Sequence, residues 1–175
     1  MIDAGHDAPA FPVEIDLTFE AGVWPADEEL NELAREAATA ALTETGVQVL
    51  GVSELSIVFS DDAHVQELNA EWRGKARPTN VLSFPAFPAF PTGNGPMKPG
   101  ATLPPLLGDI VLASETVARE AALEEKPLKH HITHLIVHGL LHLLGHDHEA
   151  EDEAEEMEAL ERKILARLAI PDPYA

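Results

Sequence analysis

The chain has 175 residues, 45% of them hydrophobic, enough for one domain with a sizeable core and no covalent staples. It holds no cysteine, which excludes disulfides and thiolate ligands and agrees with a reducing compartment. A formal net charge of −20 argues against a general nucleic-acid binder, because neutralising phosphates takes lysine and arginine. The charge is uneven, however. Acids crowd the stretch from Glu149 to Glu161, which reads as a solubilising face, while Arg73, Lys75 and Arg77 form a local basic cluster.

In chain order, residues 1–11 read as a flexible tail without the basic and apolar regions of a signal peptide, and no later run approaches a membrane span. The expectation is a cytoplasmic protein with no membrane partner. Val13, Ile15, Leu17 and Phe19 alternate with Glu14, Asp16 and Thr18, the pattern of a half-buried strand. Pro25, Ala26 and Asp27 open a helix whose Leu30, Leu33, Ala34, Ala37, Ala41 and Leu42 share one face, with Gly46 just past its end. Leu55 to Phe59 form a second strand, and Ser60 or Asp61 caps a short helix whose Val65, Leu68 and Trp72 are spaced to face the core.

Val81 to Phe84 is bracketed by Pro78 and Pro85, which predicts an edge strand where an extended substrate can lie. The proline- and glycine-rich stretch 86–106 predicts a long flexible loop, a lid or a disordered insertion rather than a domain boundary. Gly108 to Leu112 is a further strand, and Ser114 caps a helix that turns Val117 and Ala121 inward. Pro127 then starts a helix that is apolar around most of its circumference apart from a histidine stripe, so it should run through the middle of the fold. From about Glu151 to Ala169 an amphipathic helix packs Met157, Leu160, Ile164, Leu165 and Leu168, and Pro171 ends it. The order predicts an α+β domain over residues 12–170, a mixed sheet of about four strands packed against helices around a central, buried, histidine-bearing helix.

Chemistry concentrates in His138-Gly139-Leu140-Leu141-His142-Leu143-Leu144-Gly145-His146-Asp147-His148. His138 and His142 leave the same helical face one turn apart, close enough to share an ion. On a continued helix His148 would point roughly 240° away from His142, so the helix must stop, and Gly145 is the residue that can enter the left-handed turn needed. His131, His134, His138 and His142 cannot all be ligands, because about 16 Å of helix cannot converge on bonds of about 2 Å. The turn selects His138, His142 and His148, leaving His130, His131 and His134 as solvated or supporting groups and His146 open. Three imidazoles with an open fourth position make a catalytic zinc site. The spacing matches the metzincin peptidases, which place a glutamate base after the first histidine; here that position is Gly139. The scaffold is therefore zincin-like with different chemistry expected. Arg73 is the charge to set near the metal, since a guanidinium can fork onto two phosphate oxygens, against the plainer reading of a solvated arginine. Asp147 is placed to orient an imidazole.

Three segments together, Leu68 to Pro85, Gly108 to Leu112 and His138 to His148, resemble the bacterial rRNA maturation factor family YbeY in order and separation. The likeness covers nearly the whole chain except the N-terminal tail and the proline-rich loop. It implies a zinc-dependent, single-strand-specific endoribonuclease that matures ribosomal RNA, notably the 3′ end of the small-subunit RNA, and serves ribosome quality control. It places the metal ligands on His138, His142 and His148, one Zn2+ per chain, and the essential arginine on Arg73. Lys75, Arg77 and Ser83 are the candidate substrate contacts. The implied partners are single-stranded RNA, the small ribosomal subunit, and a ribosomal protein or assembly GTPase. Asn80 stands where many members have Asp, and the 86–106 loop is longer than usual. The alternatives are a ribosome-assembly factor with a structural metal and a zincin-type peptidase.

Overall fold

The computed structural model describes residues 13–74, 79–86 and 96–174. The expected tail at 1–11, Lys75, Arg77 and Pro78, and the central part of the proline-rich loop lie outside the described residues. The described elements run β1 (Val13–Phe19), α1 (Asp27–Thr45), β2 (Ser53–Ser60), α2 (Asp62–Arg73), β3 (Val81–Pro85), β4 (Leu106–Ala113), α3 (Ser114–Leu123), α4 (Leu128–Leu143) and α5 (Glu151–Arg167). The strands form one mixed sheet in the order β1-β2-β4-β3. β1, β2 and β4 are parallel, and β3 runs antiparallel to β4 at the edge, with Ser83 opposite Ile110.

Local chemistry explains the element ends. Three acids in the first turn of α1 complement the helix dipole, and Gly46 closes it at φ 73°, its N–H on the Leu42 carbonyl. Asp61, rather than Ser60, caps α2 by accepting from the His64 N–H at 2.9 Å. Ser114 is the first helical residue of α3, not its cap; the capping position belongs to Ala113, which has no hydroxyl to offer. The apolar stripe of α2 holds at Val65, but Trp72 in the last turn meets the ring edge of Phe84 and is 67% exposed.

Helix α4 lies in the middle, touching α1, α3, α5, β3 and β4. Ile132, Ile136, Leu140, Leu141 and Leu143 are buried in a core that runs from Val13 to Leu165. Burying the apolar side chains of this one helix is worth about 1.5–3 kcal/mol each, which fixes the histidine stripe in orientation. Residues 96–105 depart from the expected flexible loop. Met97 and Leu103 are buried, Met97 N–H donates to the Leu144 carbonyl at 2.9 Å, and Leu103 N–H donates to Gln48 O at 2.8 Å. Backbone hydrogen bonds, which the proline count does not reveal, hold this segment to the core.

Candidate metal centre

Helix α4 stops at Leu143, one residue after His142. Gly145 sits at φ 97° and donates to the His142 carbonyl at 3.0 Å, while His146 N–H donates to the Leu141 carbonyl at 3.0 Å. These are the two bonds of a Schellman turn, with the glycine at its left-handed position. The reversal brings the ring of His148 to 5.5 Å from that of His138 and 5.0 Å from that of His142. One ligand atom from each of the three lies within 4.8 Å of the others.

Tautomers follow from the partners. His138 Nδ1 faces Glu161 Oε2 at 2.8 Å, and His142 Nδ1 faces the His146 carbonyl at 2.9 Å. A carboxylate and a carbonyl only accept, so each Nδ1 carries the hydrogen and each Nε2 presents its lone pair. Those two Nε2 atoms stand 3.2 Å apart. Two lone pairs so placed repel unless a cation lies between them, and nitrogens bound tetrahedrally to one zinc at about 2.0–2.1 Å are separated by about 3.3 Å. The donor set therefore fits zinc. Burial, followed by the neighbouring His138 and His148, pushes the His142 pKa down to about 4 against the opposing pull of the His146 carbonyl and Asp147. His142 is thus neutral near pH 7, as a ligand must be.

The supporting carboxylate was not expected. Glu161, read in the sequence as part of a solvated acidic face, is fully buried on α5. Its Oε2 accepts from His138, and its Oε1 accepts from His134 Nε2 at 2.7 Å and from the Tyr174 hydroxyl at 2.5 Å. Burial pushes its carboxyl upward, but hydrogen bonds from His134, His138 and the Tyr174 hydroxyl outweigh it and hold the pKa at about 2. A signal existed: Glu161 falls four residues after Met157 and four before Leu165, on the apolar stripe of its helix. His134 is likewise a buried support, while the buried His131 bonds Glu120 at 2.8 Å, away from the three ligand candidates. His146 is buried, and its carbonyl, not Asp147, orients the His142 ring; the Asp147 carboxylate accepts instead from the His148 backbone N–H at 2.7 Å.

Arg73 ends α2 at the mouth of the same site. A cavity of about 640 Å³ is lined by Arg73, Ser83, His138, His142 and His148 among others. The guanidinium donates to the Ser83 carbonyl at 2.8 Å and lies 5.9 Å from the Phe84 ring centroid. That bond takes one of five N–H donors on the fork. Ser83 is buried, and its hydroxyl donates to the Gly139 carbonyl at 3.3 Å, tying the edge strand to α4. At Gly139 the helix meets the sheet so closely that an added Cβ would stand 3.0 Å from Ile110 Cγ2 and 3.1 Å from Ser83 Oγ.

Three imidazoles converge beside a guanidinium, on a helix buried against a mixed sheet, and give this α+β protein a histidine group that could hold a metal ion at an open cavity. The family model described as Endoribonuclease YbeY matches residues 18–169, and the chain belongs to that family. An Endoribonuclease YbeY of Sinorhizobium medicae is 53% identical over 167 residues, covering 93% of this chain and 95% of its own. One from Chelativorans is 51% identical over 175 residues, the full length of both chains. A protein of Thermotoga maritima solved in solution shares the fold at TM-score 0.52 and 20% identity, over 90% of this chain and 91% of that one. Among the described residues, no helix is long and apolar enough to cross a membrane.

Proposed function

We propose that the chain is a zinc-dependent endoribonuclease that cuts single-stranded RNA, with one Zn2+ held by His138, His142 and His148. The observation that carries this reading is the convergence of the three ligand atoms within 4.8 Å on the wall of a cavity that also holds Arg73. Held by His138, His142 and His148, zinc would supply Lewis acidity and would acidify water at neutral pH. The chain's own residues do the rest. Glu161 and the His146 carbonyl hold two imidazoles in the ligating tautomer, and the Ser83 carbonyl holds Arg73 by one N–H so that the fork faces the cavity. A guanidinium there binds a phosphodiester and stabilises the charge that grows on its oxygens in the transition state. The edge strand β3, antiparallel to β4 and packed on the histidine helix, supports a zincin-like reading in which an extended strand of RNA lies along it.

That the relatives are endoribonucleases by name supports RNA as substrate, and the same reading extends to ribosomal RNA maturation and quality control in the cytoplasm by one domain over 12–170. Lys75 and Arg77 are proposed phosphate contacts, and Ser83 is proposed to serve substrate chiefly by placing Arg73. The peptidase alternative is disfavoured by Gly139, which stands where that class has its glutamate base and where any side chain would press on Ile110 and Ser83.

The test offers a single-stranded RNA and its paired duplex to the zinc-loaded protein. The single strand should be cut, EDTA should stop the reaction, and Arg73→Ala should cut about 10²–10³-fold more slowly with unchanged zinc content. Peptide cleavage with RNA left intact would favour the peptidase. A His142→Ala chain that still restores rRNA processing in cells lacking the protein would favour the assembly factor.

A further inference from the structure

Helix α5 ends in a turn that sends the chain back along its own side. Ala169 adopts φ 59°, its N–H on the Ala166 carbonyl, and Ile170 N–H reaches the Leu165 carbonyl at 3.0 Å. From there a strap runs toward the metal centre. Asp172 pairs with Arg162 at 3.2 Å and accepts from the Tyr174 N–H at 2.8 Å. The Tyr174 ring then lies between two groups, the Arg162 guanidinium at 5.7 Å and the His134 ring at 5.6 Å, edge to face. Its residue is 41% exposed, yet its hydroxyl penetrates to the fully buried Glu161 and bonds Oε1 at 2.5 Å.

We infer that Tyr174 is a positioning residue of the metal centre: with His134 it pins one oxygen of Glu161 so that the other holds His138 with Nε2 toward the ion. The inference rests on the metal reading of the three histidines. A carboxylate with one oxygen anchored by two donors cannot rotate away from His138 without breaking both bonds, and the ring orientation of a ligating histidine is set by the acceptor on its far nitrogen. Tyr174 is thus two hydrogen bonds from a metal ligand, although it lies outside the histidine motif by more than twenty residues.

Tyr174→Phe removes the oxygen and keeps the ring contacts with Arg162 and His134, so the strap stays folded. Zinc affinity is measured by competition with a chromophoric chelator, and the His138 tautomer in metal-free protein by ¹⁵N NMR of the ring. The expected results are an affinity about 10-fold below wild type, the lower range for losing a supporting partner, and a His138 signal spread over both tautomers where wild type shows Nδ1–H. An affinity within twofold of wild type, or an unchanged tautomer, overturns the inference even if the melting temperature falls, since that would be a structural strap alone. A wild-type chain that binds no zinc overturns the metal reading and the inference together; RNA is not needed for either readout.

Discussion

Replacing Glu161 by glutamine probes the centre of the site with almost no change in volume. The carboxylate accepts three hydrogen bonds, from His138, His134 and Tyr174, in a fully buried position. An amide has one oxygen. Turned toward His138 it keeps that bond but loses the charge, a loss of about 1 kcal/mol, because bonds to charged groups run about 1.5–3 kcal/mol and neutral ones about 1. Its NH2 then faces His134 Nε2 and the Tyr174 hydroxyl. His134 can respond by moving its proton to Nδ1, which is buried with no hydrogen-bond partner, at a cost of about 1–3 kcal/mol. Relief of the desolvation of a buried carboxylate offsets part of this, leaving a net destabilisation of about 2 kcal/mol in the metal-free protein. Zinc affinity should fall about 10–100-fold, the range for losing a ligand's supporting partner. Urea unfolding of metal-free protein at pH 7 and chelator competition measure the two effects. Stability within about 0.5 kcal/mol of wild type, the scatter of ordinary surface substitutions, together with unchanged zinc affinity, would refute the assignment of Glu161 as the clamp.

Gly139→Glu should not create a peptidase; its Cβ alone would stand 3.0 Å from Ile110 Cγ2, and overpacking plus a buried carboxylate should cost about 3 kcal/mol or more, seen as loss of soluble protein or a much lower melting temperature. Wild-type stability in that variant would show that α4 and the sheet are less closely packed than described. Gly145→Ala should cost about 1–2 kcal/mol, because its φ of 97° disfavours any side chain, and should weaken zinc binding by displacing His148. Thermal melts with and without zinc separate those two effects. For pH, the His142 imidazole is lowered from 6.5 to about 4, so the unfolded chain takes up that proton first. Its effect is that metal-free stability falls as pH drops from about 6.5 toward about 4. Glu161, lowered from 4.5 to about 2, contributes stability that is intact above 4.5 and lost as pH falls toward 2. Urea midpoints that stay flat between pH 7.5 and 4.5 would contradict the His142 assignment.

What could be read from the sequence was what local periodicity controls. His138 and His142 share a face because four residues make about one helical turn, and Gly145 foretold the reversal that returns His148. The edge strand, Asp61 as one of two cap candidates, and the buried face of α1 follow from the same short-range rules. Glu161 escaped because seven other acids between Glu149 and Glu158 made its stretch look solvated, while its partners lie 23 and 27 residues earlier on another helix. Tyr174 escaped for the same reason: its role depends on a turn at Ala169, a residue type that gives no hint of a left-handed conformation. Trp72 kept the helical spacing of Val65 and Leu68, yet periodicity cannot show where the neighbouring sheet ends. The segment at 96–105 is held through backbone groups, and side-chain composition carries no record of those bonds.

If one ion joins three imidazoles to cleave RNA, zinc content and single-strand cleavage must fall together, and both are measured on the same preparations of wild type and His142→Ala. The expected result is about one zinc per wild-type chain with cleavage that chelation abolishes and added zinc restores, and neither zinc nor cleavage in the variant. Equal cleavage by both proteins after exhaustive chelation would contradict it.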